Sequence, residues 1–355
     1  MRLKLEDLTK AVNTVKIVMG NNKIIPITQM IGLTAKDQTL VLSATNTFEY
    51  AYYKLKTNDD SKFDICVNGE IFTKLINKLT SPEVSIECTD KALVIRADGE
   101  YTLDILLDEN TNATFPLKTI EESKAVDSVT AASFLNLKET SSAALATTLT
   151  YPSFIGYYVD DKQAIATDGY VMSSIDSHFF KEAAVLRSNF VDILSQGEGI
   201  VNLESTENNI KATLNNLEVY STFNCPVADY PIDSIKEMFD KVNFNNTAKI
   251  NKTTLLSILD RIALFITPYD DEAIKLSFLG DKLYIKSAKD NGIEILPLTE
   301  VKGESNCEAL IPINYLLNQL KSFKEDSLQI GFGNDTYISL SKGNVCKYMA
   351  LMQSK

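Results

Sequence analysis

The sequence predicts a mixed α+β chain built from three tandem copies of one module, on three observations. Leu42-Ser43-Ala44-Thr45-Asn46 returns as Ala164-Ile165-Ala166-Thr167-Asp168 and again as Lys286-Ser287-Ala288-Lys289-Asp290, each step being 122 residues. The patterns flanking each copy recur in the same order, which marks a repeated unit rather than a chance echo. The length of 355 residues suits three domains of ordinary size, each able to bury its own core. Boundaries are placed near 1–122, 123–246 and 247–355.

Each copy of the echo follows a helical pattern, with steps of three, four or, once, seven residues: Leu5, Leu8, Val12 and Val15; then Phe134, Ser141 and Leu145; then Leu255, Leu259 and Ile262. That spacing predicts a helix with one buried face. A second helix follows each echo, over Asn68 to Leu79, Arg187 to Leu194 and Pro312 to Phe323, the proline suiting a first helical turn. A hairpin comes next. Val84, Ile86 and Cys88 alternate into Thr89-Asp90-Lys91, with Leu93 and Ile95 beyond it; Val201 and Leu203 lead through Glu207-Asn208-Asn209 to Ile210 and Ala212. In the third copy Leu328, Ile330 and Phe332 run through Gly333-Asn334-Asp335 to Ile338 and Leu340. A last strand carrying Tyr101, Tyr220 or Tyr348 ends each unit. Phe115-Pro116 and Tyr230-Pro231 mark the joints, each followed by a charged connector, 118–127 and 233–246, because proline stops a ladder.

The chemistry-bearing residues are sparse. Cys66, Cys88, Cys225, Cys307 and Cys346 are far apart and sit mostly in apolar strand patterns, so they read as reduced thiols rather than a disulfide framework or zinc site. The only histidine, His178, argues against a histidine-based triad or multi-histidine metal site and reads as a loop residue. No phosphate loop occurs; Gly20-Asn21-Asn22-Lys23 lacks its spacing. The acid pairs Asp59-Asp60 and Asp160-Asp161 and the run Asp270-Asp271-Glu272 could hold a metal, but solvated turns explain them more simply. Asp168-Gly169 reads as a hairpin turn. No apolar run spans a bilayer and Met1-Arg2-Leu3-Lys4 leads directly into a helical pattern, so a soluble cytoplasmic protein is expected.

Net charge is −12, unsuited to nucleic acid if spread evenly. It is not spread evenly. The helical segments 6–20, 68–80, 130–148, 186–196, 251–266 and 312–324 hold ten lysines and arginines against six acids, a net of +4, and the remainder carries −16. Such a chain can turn helices toward a polyanion and acid toward solvent, although ordinary scatter of charge accounts for a difference this small.

Ala166-Thr167-Asp168-Gly169-Tyr170 resembles the Ala-Thr-Asp-Gly-(His/Tyr) signature of the bacterial-type beta sliding clamp, the processivity subunit of the replicative DNA polymerase III; Ala228-Asp229-Tyr230 is similar to that family's Pro-Asp-Tyr segment. The three-module layout with a short apolar tail matches along the full chain. The resemblance implies a non-catalytic protein without cofactor or metal. It implies a head-to-tail homodimer closing a ring around duplex DNA without reading its sequence, with two helices of each domain facing the hole. By the same resemblance the strand with Tyr101 and Leu103 meets Leu264 and Phe265 of the other subunit. Candidate phosphate-facing residues are Lys10, Lys16, Lys74, Lys78, Lys138, Arg187, Lys252, Arg261, Lys321 and Lys324, with Lys23 resembling a family position near DNA. The polymerase, the clamp loader and other partners are expected to insert short peptides into a cleft carried over as Phe154, Thr167, Gly169, Tyr170, Val171, Met172, Ile232, Met349, Leu351 and Met352. Methionines and aromatics suit such a cleft because they repack at low cost.

The chain departs from the family pattern at Val171, where arginine is usual, at Ala228, at Pro231-Ile232 and in its tail, Tyr348 to Lys355. Such drift, with many Asn and Lys residues, suits a phage-encoded or otherwise divergent member, acting at the nucleoid or in a host cytoplasm. Two other classes stay open: a three-module protein-binding scaffold that never encircles DNA, and an enzyme using Asp270-Asp271-Glu272 with a metal.

Overall fold

The structure, a computed structural model, describes residues 1–108, 111–120, 124–148, 151–266, 272–304 and 306–353. The chain opens with β1 (Arg2–Lys4), α1 (Leu5–Val15), β2 (Met30–Lys36), β3 (Thr39–Thr45), β4 (Glu49–Lys56), β5 (Phe63–Asn68) and α2 (Gly69–Ile76). It continues through β6 (Glu83–Cys88), β7 (Ala92–Arg96), β8 (Glu100–Asp104), β9 (Leu107–Asp108), β10 (Thr111–Asn112), β11 (Lys124–Thr130) and α3 (Ala131–Ser141). Next come β12 (Tyr157–Val159), β13 (Gln163–Thr167), β14 (Val171–Asp176), β15 (Ala184–Leu186), α4 (Ser188–Leu194), β16 (Ile200–Ser205), β17 (Asn209–Leu214), β18 (Leu217–Thr222) and α5 (Ile232–Lys241). The last third holds β19 (Asn246–Asn251), α6 (Lys252–Ile262), β20 (Ala273–Leu279), β21 (Lys282–Ser287), β22 (Ile293–Pro297), β23 (Thr299–Lys302), β24 (Asn306–Pro312), α7 (Ile313–Lys321), β25 (Ser327–Phe332), β26 (Tyr337–Lys342) and β27 (Val345–Ala350).

These elements form two compact units, Met1–Leu135 with Arg187–Phe223, and Asn136–Leu186 with Asn224–Lys355. In the first unit a four-stranded sheet β1-β6-β7-β8 accompanies an eight-stranded sheet β11-β16-β17-β18-β4-β3-β2-β5. In the second, a nine-stranded sheet β15-β12-β13-β14-β27-β26-β25-β19-β23 accompanies a four-stranded sheet β22-β21-β20-β24. Neighbouring strands run antiparallel throughout.

Helix formation follows the expected spacing. Leu8, Ala11, Val12 and Val15 of α1 are buried and contribute about 1.5–3 kcal/mol for each larger side chain. Asn68 caps α2 by accepting the Ile71 N–H at 2.9 Å, and Asn251 caps α6 by accepting the Thr254 N–H at 2.8 Å. The first helices end earlier than expected, tightening into a 3-10 turn at Lys16–Val18, Ser142–Ala144 and Ala263–Phe265. The connector 233–246 is largely helical instead of a linker: α5 starts directly after Pro231 and turns Ile232, Ile235, Met238 and Phe239 onto an apolar cluster.

The repeat is visible in how the two large sheets are joined. β4 pairs with β3 on one side and β18 on the other; β14 pairs likewise with β13 and β27. Val219 faces Ala51 across the first joint, and Met349 faces Val171 across the second. Thr222 donates its N–H to Phe48 O as Ala350 does to Tyr170 O. On the opposite face, the segment from Phe115 to Ile120 covers the first joint beside Tyr52 and Tyr220, and α5 covers the second beside Met172 and Tyr348. Tyr52 is held by both ends of that covering, donating to Pro116 O at 3.0 Å and accepting from the Lys118 N–H at 2.8 Å. Tyr52→Phe is therefore expected to lower stability by about 1–2 kcal/mol in urea unfolding, with the denaturant slope unchanged.

Two sequence alignments slip by one position. Ala44 and Ala166 are buried, whereas Ala288 is exposed and Ser287 takes the buried place, so the third echo is out of phase with its strand. Tyr220 and Tyr348 face Lys211 and Ser339, on the side covered by the Phe115–Ile120 segment and α5, but Tyr101 faces the buried Ile95. Strand alternation makes one residue of slip a change of face.

Candidate peptide cleft, basic helices and open sheet edges

The Thr167-to-Tyr170 turn is built by local chemistry. Asp168 Oδ1 accepts the N–H groups of Tyr170 and Val171 at 2.8 and 2.7 Å, Thr167 Oγ1 accepts the Gly169 N–H at 3.0 Å, and Gly169 sits at φ +94°, a conformation that favours glycine. The turn lifts the exposed Tyr170 onto Tyr315 of α7, ring centroids 6.4 Å apart and 25° from parallel. Together they wall a cavity of about 440 Å³ with Tyr151, Asp168, Asn314 and Asn318. Tyr151, Tyr315, Asn314 and Asn318 were not read from the sequence, since nothing in their local spacing distinguishes them from a surface helix and loop.

The ten cleft residues do not form one surface. Thr167, Val171 and Met349 are buried; Val171 and Met349 share one face of the sheet, while Met172 and Tyr348 share the other. Met172 lies in the cluster of Tyr158, Ile165, Val185, Tyr230 and Ile235, with Phe154 and Ile232 packed against it. Tyr230 stacks on Tyr158 at 5.4 Å, and burial raises both phenols above their ordinary range. Leu351 and Met352 are half-buried and donate their N–H groups to Thr336 O and Leu310 O, lining a separate cavity of about 650 Å³ with Lys275, Cys307 and Glu308. Met349 is therefore a core residue, whereas Val171, though buried, lines the floor of the Tyr170–Tyr315 cavity. Tyr170 and Gly169 remain on the surface, with Phe154 and Ile232 partly so.

The basic candidates divide by what holds them. Lys10, Lys16, Lys23, Lys78 and Lys321 are exposed, and Lys138 is half-buried. Lys74 pairs with Glu70, and Lys324 with Glu139 at 2.6 Å. Arg261 is engaged by Glu294, with Nε to Oε1 at 2.7 Å, which holds that carboxyl below its usual range. Lys252 donates to Phe323 O at 2.8 Å. Arg187 lies 4.2 Å over the Phe48 ring and donates to Thr222 Oγ1 at 3.0 Å, so it is a fixed part of the first joint rather than a mobile phosphate partner.

Two strands that occupy the places of joint strands in the repeat lack the second neighbour their counterparts have. β8 occupies the place of β18 and β27 in its meander, and β22 that of β4 and β14, yet among the described residues β8 pairs with β7 and β22 with β21 alone. Of the interface candidates, Leu103 is buried and Tyr101 half-buried, whereas Leu264 and Phe265 are 81% and 47% exposed. The edge strand β22 adds Ile293 and Ile295, 54% and 48% exposed, which sequence reasoning missed although they alternate with Glu294.

The remaining candidates resolve into turns and thiols. Asp59 Oδ1 accepts the Ser61 N–H at 2.8 Å, and Asp160 Oδ1 accepts those of Lys162 and Gln163. Asp270 and Asp271 lie outside the described residues. Among the described residues no group of three potential metal ligands occurs, the five cysteines are unbridged, and no helix is long and apolar enough to cross a membrane. His178 is exposed, its Nδ1 3.3 Å from Asp161 O.

Comparison with known proteins agrees with this geometry. Residues 1–122 match the family model for the DNA polymerase III beta subunit, N-terminal domain. A beta sliding clamp of Rickettsia bellii is 23% identical, the match covering 94% of this chain and 92% of that protein. Among solved structures, the DNA polymerase III beta subunit of Thermotoga maritima superposes with a TM-score of 0.88 at 14% identity, covering 100% of this chain and 99% of that one. The sliding clamp of Bacillus subtilis gives 0.83 at 18% identity over the same shares of the two chains. The family model thus covers the first third of the chain, the clamp of Rickettsia bellii aligns along nearly all of it, and the fold of the solved clamps extends throughout.

Proposed function

We propose that this chain is a DNA sliding clamp: a head-to-tail homodimer that encircles duplex DNA and tethers the replicative polymerase and other partners through short peptides. The observation that carries the reading is the repeated strand joint. Two such joints, β4 with β18 and β14 with β27, lie within the chain, and the strands that would make a third, β22 and β8, are left with open edges. A second copy supplies the missing partner for each, so three modules, with boundaries near residues 122 and 246, become six and both edges are covered. Leu264 and Phe265, together with Ile293 and Ile295, then gain the apolar neighbours they lack in one subunit.

Retention on DNA is topological. A closed ring needs no tight contact, and exposed lysines such as Lys10, Lys16 and Lys23, exchanging among phosphates, favour sliding. The chain's own acidity, −12 overall, weakens any static complex in the same direction. The role asks for no catalytic group and no cofactor, and its place is on DNA in the cytoplasm. The Tyr170–Tyr315 cavity and the neighbouring Phe154–Ile232 surface are the docking place for partner peptides.

The test is light scattering with a DNA-retention assay. The purified chain is expected to be a dimer that, once loaded, stays on nicked circular DNA at 0.2 M salt and is lost when the circle is cut. A monomer indifferent to DNA topology would identify the non-encircling scaffold instead.

A further inference from the structure

We infer that the partner segment entering the Tyr170–Tyr315 cavity carries an arginine, stacked against the tyrosines and paired with Asp168. The inference rests on the peptide-docking role proposed above and specifies the chemistry of its ligand.

Charge is the first argument. Among the described residues lining the cavity the single charged side chain is Asp168. Its Oδ1 is committed to two backbone N–H groups, which fixes the carboxylate in place. Its field reaches the cavity wall: after burial, Asp168 is the next cause raising the Tyr315 phenol. A second carboxylate stands at the edge, where Glu272 accepts from the Asn314 amide at 2.6 Å. The first turn of α7, whose open N–H groups would otherwise invite an anion, thus already has one beside it. The nearby amine, Lys347, is fully buried and engaged by Gln319 Oε1 at 3.2 Å, so it presents no donor to the cavity. A neutral or acidic ligand leaves this negative potential unmatched.

Shape is the second. Tyr151, Tyr170 and Tyr315 offer aromatic faces, and Asn314 and Asn318 offer amides, around about 440 Å³. A guanidinium is planar, stacks on tyrosine and forms charge-assisted bonds to a carboxylate; an ammonium does only the last well.

The first repeat supplies the control. Asn46 occupies the position of Asp168 and makes the same turn, its Oδ1 accepting the N–H groups of Phe48 and Glu49 at 2.9 and 2.8 Å. Asp168→Asn therefore removes the charge and keeps the turn.

A randomised heptapeptide library displayed on phage, selected against the immobilised full-length dimer, is expected to enrich arginine at one position. By fluorescence anisotropy, replacing that arginine by glutamine should weaken a selected peptide about tenfold on the wild type and less than twofold on D168N. Tyr170→Ala should weaken both peptides. Selected peptides without arginine enrichment, or an arginine preference unchanged in D168N, overturn the inference and leave docking at the cavity intact. A selection that yields no binder, or binders indifferent to Tyr170→Ala, overturns the docking role and the inference with it.

Discussion

Leu264→Asp is expected to turn the dimer into monomers with little effect on the fold of each subunit. Leu264 is the middle residue of the turn after α6 and is 81% exposed, so a charge there stays solvated in the isolated chain. In the head-to-tail assembly it would be driven against the apolar side of β8, where Leu103 and Tyr101 sit. Substituting an anchor at the centre of an interface costs about 2–4 kcal/mol, or roughly thirty- to a thousandfold in dimer affinity. Adding Ile295→Lys on the facing edge deepens the loss. Light scattering at micromolar concentration should give the monomer mass, thermal unfolding should change by a degree or two, and the half-life on circular DNA should collapse toward that on linear DNA. A variant that remains dimeric and topologically retained would mean that the subunits meet elsewhere, and the third-joint argument would fail.

The intermolecular joint of the proposed dimer would differ physically from the two inside the chain. In each of those, the segment that connects one module to the next lies across the joint, Phe115 to Ile120 over Tyr52 and Tyr220, and α5 over Met172 and Tyr348. No connector links β22 of one chain to β8 of another, so Ile293 and Ile295 carry no such cover. In the proposed dimer the joint between subunits would therefore be the least covered of the three, and the one at which the ring is expected to open.

What the sequence disclosed followed how local each determinant is. Turns were legible because their chemistry lies in two or three residues, as in Asp168-Gly169 and Gly333-Asn334. Helices with a clear apolar stripe, such as Leu8, Val12 and Val15, were legible too. The helix α5 was not: Ile232, Ile235, Met238 and Phe239 have helical spacing, but Pro231 and the acids Asp233, Glu237 and Asp240 gave the stretch the composition of a connector. Which side of a strand a residue faces was lost wherever a turn changed length. The hairpin between β21 and β22 spends five residues, 288–292, where β13 and β14 spend three, and the echo at Ala288 slipped out of phase. The cleft suffered from the same cause. Val171 and Met172 are adjacent in sequence and were assigned together, yet alternation sends them to opposite faces. Tyr315, which completes the cavity, joins Tyr170 only through the tertiary fold.

Stability should rise with pH between 7 and 8.5, and Lys347 is the reason. Its side chain is fully buried on β27, with Nζ bonded to Thr140 O near the end of α3, to Ser322 Oγ and to Gln319 Oε1 just beyond and within α7, and 5.0 Å above the Phe323 ring. Those bonded partners are neutral oxygens. Helix C-terminal carbonyls favour a cation, but burial without a carboxylate prevails and pulls the ammonium down to about 7. An unfolded lysine titrates near 10.4, so above pH 7 the unfolded chain holds a proton that the folded one releases, and stability increases with pH. Below pH 7 both states are protonated and the dependence vanishes. Above pH 8.5 the rise is offset, because burial pushes the Cys66 thiol up to about 12 and raises the Tyr230 and Tyr348 phenols, groups that the unfolded chain would ionise first, while the Lys347 contribution ends near pH 10.4. The slope in the window is bounded by one proton, ~1.4 kcal/mol per pH unit, giving about 1–2 kcal/mol between pH 7 and 8.5 by urea unfolding. Lys347→Met should flatten it, whatever the variant's stability at pH 7, which sets the loss of a bond to Thr140 O against the removal of a buried charge. An unchanged slope in K347M would place the titrating group elsewhere. A flat wild-type profile would mean that the three oxygens hold the ammonium charged well above neutrality.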